Sequence, residues 1–172
     1  MKKYLLGLGC LLLLCLGANA QIRKNEQLSK LDSGQTFHFV DMTDINGKKI
    51  KARRLAGKVV VINFWSISCS PCRYEIPQLS KIADDHKNNK RIVFIAIAPD
   101  SLGALKKFLK SNTFNYRMMD NGKKLFEDYG IETYPLNLVI NKQGTIIYNS
   151  YTERYLAAGP GHIMDILKNK LK

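Results

Sequence analysis

The chain has 172 residues, 45% of them hydrophobic, with 27 Lys and Arg against 14 Asp and Glu and a formal net charge of +13. That length and apolar share exclude a disordered or fibrous chain and suit one domain with an ordinary core. The basic excess fits a solubilising surface or an anionic partner, but no basic run is interleaved with aromatic residues, so nucleic acid is not expected as a partner.

Lys2 and Lys3 precede an apolar run from Leu5 to Leu16, closed by Gly17 and the small-residue triplet Ala18-Asn19-Ala20. That is the pattern of an export signal, with cleavage expected after Ala20 and the bacterial periplasm as destination. The run is shorter than the ~20 residues of a spanning helix. A retained, membrane-anchored form is the alternative; Cys10 and Cys15 lie in the run without the leucine-and-small-residue pattern that precedes a lipidated cysteine. Removing 20 residues from 172 leaves 152, in which the cysteines are Cys69 and Cys72. A pair three residues apart closes too small a loop to constrain an unfolded chain, so it reads as chemical rather than architectural.

Residues 21–34 read as a polar lead-in segment and residues 35–172 as one domain. A strand is expected over Thr36 to Val40, then an Asn46-Gly47 turn and an extended piece near Lys48 to Lys51, forming an N-terminal β-hairpin. Lys48, Lys49, Lys51, Arg53 and Arg54 there read as a solvated loop. Val59 to Trp65 is a nearly unbroken β-branched and aromatic run, the pattern of a strand buried on both faces. A helix follows from about Pro71 to His86, a second buried strand from Ile92 to Ala98, and a helix from about Leu102 to Lys110 capped by Asp100 or Ser101. Next come an extended piece near Tyr116 to Met118 and a helix near Lys123 to Tyr129. Pro135 introduces a strand from Leu136 to Ile140, a turn at 141–144 leads to Thr145 to Tyr148, and a helix from about His162 to Leu171 closes the chain. Strand alternating with helix predicts an α/β fold with a sheet flanked by helices.

Function in such a sheet collects where a strand's carboxyl end meets the next helix. Cys69-Ser70-Pro71-Cys72 occupies that place, with Pro71 at a helix start where its missing N–H costs nothing. The partial positive charge of a helix N-terminus stabilises a thiolate, so Cys69 is the expected attacking nucleophile and Cys72 the resolving thiol. At about 100° per residue, Cys69, Cys72, Glu75, Ile76, Leu79, Ile82, Ala83 and His86 share the inward arc, while Arg73, Tyr74, Gln78, Ser80, Lys81, Asp84 and Asp85 share the wet face. Glu75 is the anomaly in the inward set. A carboxyl buried there has a raised pKa suited to proton exchange with a cysteine; the competing reading is a glutamate that snorkels to water. His86 reads as a capping or surface residue, and Pro77 as a kink. Trp65 reads as core and is also well placed to shield the disulfide.

These residues together resemble the thioredoxin superfamily, and within it the exported TlpA/ResA-like branch. The resemblance covers about Gln35 to Lys172 and rests on Phe64-Trp65 before the cysteines, Glu75 and Pro77 after them, and Tyr134-Pro135 at the head of a later strand. It implies the thioredoxin fold, with a central mixed sheet flanked by helices and the hairpin as an N-terminal extension. It implies a cis bond at Tyr134-Pro135, with Pro135 packed against the disulfide and Tyr134 and Trp65 meeting substrate. It also implies a Cys69–Cys72 disulfide as the redox group, with no other cofactor and no metal.

Two departures stand out. Asn63 occupies the place of the buried Asp of cytoplasmic thioredoxins, with Glu75 as the branch's substitute, and Ser70-Pro71 lacks the residues usual in this branch and the His of strong oxidants. The expected function is thiol:disulfide exchange in a monomer. It would reduce disulfides of other exported proteins, apocytochrome c among the candidates, and be recharged by a membrane electron donor of the DsbD/CcdA type. A disulfide oxidase or isomerase is the near alternative. A carrier of a soft metal such as Cu(I) lacks a His or Met in the motif, and a peroxidase lacks the Pro and Thr/Ser pattern before Cys69.

Overall fold

The computed structural model describes residues 31–153 and 159–169. The expected export signal over residues 1–20, residues 21–30 of the lead-in segment and the expected end of the last helix lie outside the described residues.

Gly47, at φ 79°, turns the chain between β1 (Met42–Thr43) and β2 (Lys49–Ile50), which pair antiparallel. The turn is organised by Asp44, whose Oδ1 accepts the Asn46 and Lys48 backbone N–H groups at 3.0 and 2.9 Å and whose Oδ2 accepts Arg117 Nε at 2.7 Å. Burial pushes the Asp44 pKa up, and these donors more than offset it, so the carboxyl titrates below its usual range. The strand expected over Thr36 to Val40 is not formed. Phe37 is instead buried against Phe39 and Tyr129 at ring distances of 5.0 and 4.9 Å, and its N–H donates to Gly144 O at 2.8 Å. The aromatic residues of this stretch thus anchor it to the core, and the strand that pairs lies nearer the turn. The basic residues Lys48, Lys49, Lys51, Arg53 and Arg54 are exposed, as expected of a solvated loop.

The main sheet holds β3 (Val59–Phe64), β4 (Ile92–Ile97), β5 (Arg117–Met118), β6 (Leu136–Ile140) and β7 (Ile146–Asn149), in the order β5-β4-β3-β6-β7. β3, β4 and β5 run parallel, whereas β6 is antiparallel to both its neighbours. The mixed sheet follows from the connections: helices return the chain between the parallel strands, and the short turn at residues 141–144, with Gly144 at φ 84°, joins β6 to β7. Among the described residues, four α-helices cover it: α1 (Ser70–Asp85), α2 (Leu102–Leu109), α3 (Gly122–Tyr129) and α4 (Pro160–Asn169). Val59 and Val61 on β3, with Trp65 just after it, join the core shared with α1, α2 and α4, while Val60, Ile62 and Phe64 join the core shared with α3 and the hairpin. A strand covered on both faces must be apolar throughout, which is why its pattern does not alternate. No helix among the described residues is long and apolar enough to cross a membrane.

α3 starts at Gly122, where an added Cβ would lie 1.7 Å from Ala98 O, a backbone atom that cannot swing away. Gly122→Ala is therefore expected to cost roughly 3 kcal/mol or more of unfolding free energy in a urea titration. A loss below about 1 kcal/mol would show that α3 can slide off the end of β4 at little cost.

Candidate active site

β3 delivers the chain to a short loop at the sheet's end, and that loop is tied down from several sides. Trp65 N donates to Ile97 O at 3.0 Å, Ile67 N to Asp100 Oδ2 at 3.1 Å, and Cys69 N to Ser66 O at 3.2 Å. Asp100, read from the sequence as one of two helix-cap candidates, thus holds the loop, while Ser101 caps α2 by accepting Ala104 N at 3.3 Å.

Cys69 is the N-cap of α1, in extended backbone at φ −80°, ψ 104°. Its sulfur takes the place of the usual capping oxygen and accepts the Cys72 N–H at 3.1 Å. The two cysteines are joined, with S–S 2.01 Å and Cα–Cα 5.3 Å. Their exposure differs sharply, Cys69 being half-buried and Cys72 only 1% exposed. An N–H aimed at a sulfur on a helix N-terminus favours the thiolate, whereas a thiol sealed in apolar surroundings resists ionisation. The arrangement can therefore supply one accessible nucleophile and one protected resolving thiol.

The inward arc of α1 is buried at Cys72, Ile76, Leu79, Ile82 and Ala83, as the spacing predicts. Ser80 departs from it. Assigned to the wet face, it is buried because residues 113–115 pass over that side of α1, its hydroxyl donating to Thr113 O and accepting Asn115 N, both at 3.2 Å. Pro77 lies inside α1 without ending it. His86 is the C-cap residue, its Nδ1 donating to Ile82 O at 2.9 Å, which fits the capping role.

Glu75 is half-buried on the same side as Cys72, and Asn137 Nδ2 donates to its Oε2 at 2.9 Å. Burial raises its pKa above the ordinary carboxyl value, and the Asn137 donor offsets this only in part. Two buried phenols lie within its electrostatic reach. Burial and then the Glu75 charge push Tyr116 far up, and Tyr148 is pushed up to about 12, chiefly by burial.

The Tyr134–Pro135 bond is cis. β6 pairs with β3 so that Leu136 lies opposite Phe64, which sets Pro135 beside Trp65 at the end of β3 where the cysteine loop leaves. Tyr134 is 37% exposed, its ring edge-on to Phe126 at 5.7 Å. Trp65 has no exposed surface; it packs against Phe108 and Phe114 at 5.2 and 5.5 Å within the core that includes Cys72. Its part in this disulfide form is packing behind the pair, not a contact offered to a substrate. Tyr74, two residues beyond Cys72, is 89% exposed, more than Tyr134. The sequence marks it only as an aromatic on the wet face. Among the described residues, no group of three or more His, Cys, Asp or Glu is placed to hold a metal.

With a sulfur capping α1 and a cis-proline entering the adjacent strand at the same end of the sheet, the molecule falls in the class of thioredoxin-fold thiol:disulfide oxidoreductases. Comparison with known proteins agrees. Residues 33–149 match the AhpC/TSA family, to which the chain belongs. It is 32% identical over 120 residues to the thiol-disulfide oxidoreductase ResA of Bacillus thuringiensis (strain Al Hakam), with 69% of each chain covered. To the ResA of Bacillus subtilis (strain 168) it is 28% identical over 130 residues, covering 75% of this chain and 71% of the relative. Among solved structures, the thioredoxin domain of a thiol-disulfide oxidoreductase from Bacteroides vulgatus is similar with a TM-score of 0.68 at 20% identity, over 83% of this chain and 99% of that one. At that identity the likeness speaks for the fold. The protein is a thiol:disulfide oxidoreductase of the ResA kind.

Proposed function

We propose that the protein is an exported reductase of protein disulfides, and the observation that carries this reading is the asymmetry of the pair, with Cys69 reachable and Cys72 sealed. In the reduced protein the Cys69 thiolate attacks one sulfur of a substrate disulfide, forming a mixed disulfide and expelling the other sulfur as thiolate. Cys72 passes its proton to Glu75, attacks Cys69 Sγ, and releases the second substrate thiolate as the Cys69–Cys72 bond forms. Two electrons pass to the substrate. Pro135 and the Tyr134 backbone receive the substrate strand beside the sulfurs, and Tyr74 adds an apolar contact.

Reduction is favoured over oxidation by the charges. Ser70 and Pro71 bring no cation to over-stabilise the reduced form, and Glu75 brings a carboxyl close behind Cys72. Residues 1–20 then act as a cleaved export signal delivering a monomer to the periplasm. Apocytochrome c is a fitting substrate, and a membrane donor of the DsbD/CcdA type would restore the dithiol. The redox group is the disulfide itself, with no other cofactor. The reduction potential of the Cys69/Cys72 couple, measured against glutathione or dithiothreitol buffers, tests the direction. A value near about −270 mV or below is expected, and one near about −120 mV would make the protein an oxidant.

A further inference from the structure

β3 and β6 are apolar strands, and each carries one asparagine, Asn63 and Asn137, directly opposite one another in the antiparallel register. Both are buried, at 1% and 0% exposure. Asn63 Nδ2 donates to Asn137 Oδ1 at 2.9 Å, and Asn137 Nδ2 donates to Glu75 Oε2, also at 2.9 Å. The amides therefore point the same way. Asn63 takes up the oxygen end of Asn137, which leaves the NH2 end facing the carboxyl. Asn63 lies on the β3 face of Val61 and Trp65, the face that packs with Cys72 and α1.

We infer that Asn137 is a positioning residue, oriented by Asn63, that fixes the Glu75 carboxyl behind Cys72 and sets how readily it gives and takes a proton. This deepens the role given to Glu75 above and rests on that reading.

A purely structural pair of asparagines would be poorly built. Buried amides cost free energy unless every polar atom is met, and Asn63 Oδ1 has no hydrogen-bond partner among the described residues. Apolar residues would fill both places, as they do at the other positions of these strands. What the pair provides is a line of aligned dipoles ending on one carboxylate, and hydrogen bonds in such a chain strengthen one another. A donor on the ionised form lowers its pKa while burial raises it, and in Glu75 burial prevails. Asn137 thus restrains the upward shift that burial imposes on Glu75. The Tyr116 and Tyr148 phenols feel the charge of the carboxyl, Cys72 lies one turn before it on α1, and His162 on α4 has its ring 5.0 Å from that of Tyr148. Arg73 is exposed on the opposite side of α1.

Carbon-13 NMR of the Glu75 carboxyl, read with the side-chain amide protons of Asn137 and Asn63 across pH 4 to 9, tests this on the full domain. In the wild-type protein the Asn137 amide protons are expected to titrate with the same midpoint as Glu75, those of Asn63 to follow with smaller amplitude, and both titrations to vanish in Glu75→Gln. Asn137→Leu should raise the Glu75 midpoint by about one pH unit or more, because a donor to the charged form is lost. Asn63→Leu should raise it by less, since Asn137 keeps its NH2 group but loses its orientation. Amide protons that do not titrate in the wild type overturn the inference, as does an unchanged midpoint in a folded Asn137→Leu protein. If that variant fails to fold, the wild-type titration and Asn63→Leu decide. A midpoint that moves while the pH profile of disulfide exchange stays put supports the positioning of Glu75 by Asn137, and overturns instead the role of Glu75 as proton acceptor for Cys72.

Discussion

Replacing Cys69 by serine is expected to bring disulfide exchange down to the uncatalysed background, while Cys72→Ser keeps the first attack and stalls as a mixed disulfide. The two sulfurs share one helix turn, so this difference comes entirely from their surroundings. Cys69 Sγ caps α1 and accepts the Cys72 N–H, whereas Cys72 is closed off by Trp65, Ile76 and Leu79 in one core. Alkylation of the reduced protein at neutral pH should therefore modify Cys69 on the order of 10²-fold faster than Cys72, combining a tenfold gain per unit of lowered pKa with the difference in access. Mass spectrometry of the alkylated peptides reads the ratio. Faster modification of Cys72 would reverse the two roles.

Glu75→Gln is expected to slow the resolving step by on the order of 10²-fold, the lower end of what a positioned acid or base contributes. The substitution keeps the shape and the Asn137 contact but cannot ionise. In the wild-type protein the resolving rate should climb as pH rises through the raised Glu75 pKa, because the ionised carboxyl is the form that accepts the Cys72 proton. In the variant that limb should be missing. Stopped-flow exchange rates between pH 5 and 9 decide it, and superimposable profiles would reduce Glu75 to a snorkelling carboxylate. The same shift carries a stability signature. A carboxyl whose pKa is raised by folding contributes stability below its unfolded value, near ~4.3, and that stability is lost as pH rises through its folded value. Glu75→Gln should accordingly be more stable than the wild type at neutral pH, with the advantage shrinking as both are taken into acid.

The parts of the molecule that follow from local chemistry were legible in the sequence. The strand ending at the cysteines, the helix they start, the hairpin turn at Gly47 and the strand from Leu136 to Ile140 each carry their own signal in periodicity, capping or turn residues. What escaped were features made by another segment. Ser80 is polar on a polar helix face, and only the passage of residues 113–115 buries it. Phe37 and Phe39 sit in a strand-like run, yet the pull on Phe37 is towards Tyr129, 92 residues along the chain. Asn137 was missed although a signal was present: a lone amide inside Leu136 to Ile140 is as odd as Asn63 inside Val59 to Trp65. The cross-strand register that joins them is a tertiary fact and cannot be read from either strand alone. Trp65, read from the sequence as core, is buried as expected in the cluster that includes Cys72, and in this form offers no surface to a partner.

The antiparallel entry of β6 beside β3 has a bearing on how the chain comes to life after synthesis. The sulfurs lie near residue 70, but the cis-proline and the asparagine pair that links β3 to β6 are in place only when residues 135–140 have joined the sheet. Under the proposed export, a chain threading from its amino end through a translocation pore presents its thiols to ambient oxidants before β6 has joined β3. For most proteins that interval invites scrambled pairings. Here the segment beyond the apolar leader holds just two cysteines, three residues apart, so intramolecular oxidation at any moment can give a single product, and that product is the bond found in the finished fold. On the proposed function, the enzyme then emerges into an oxidising space without needing the kind of repair that it performs on others.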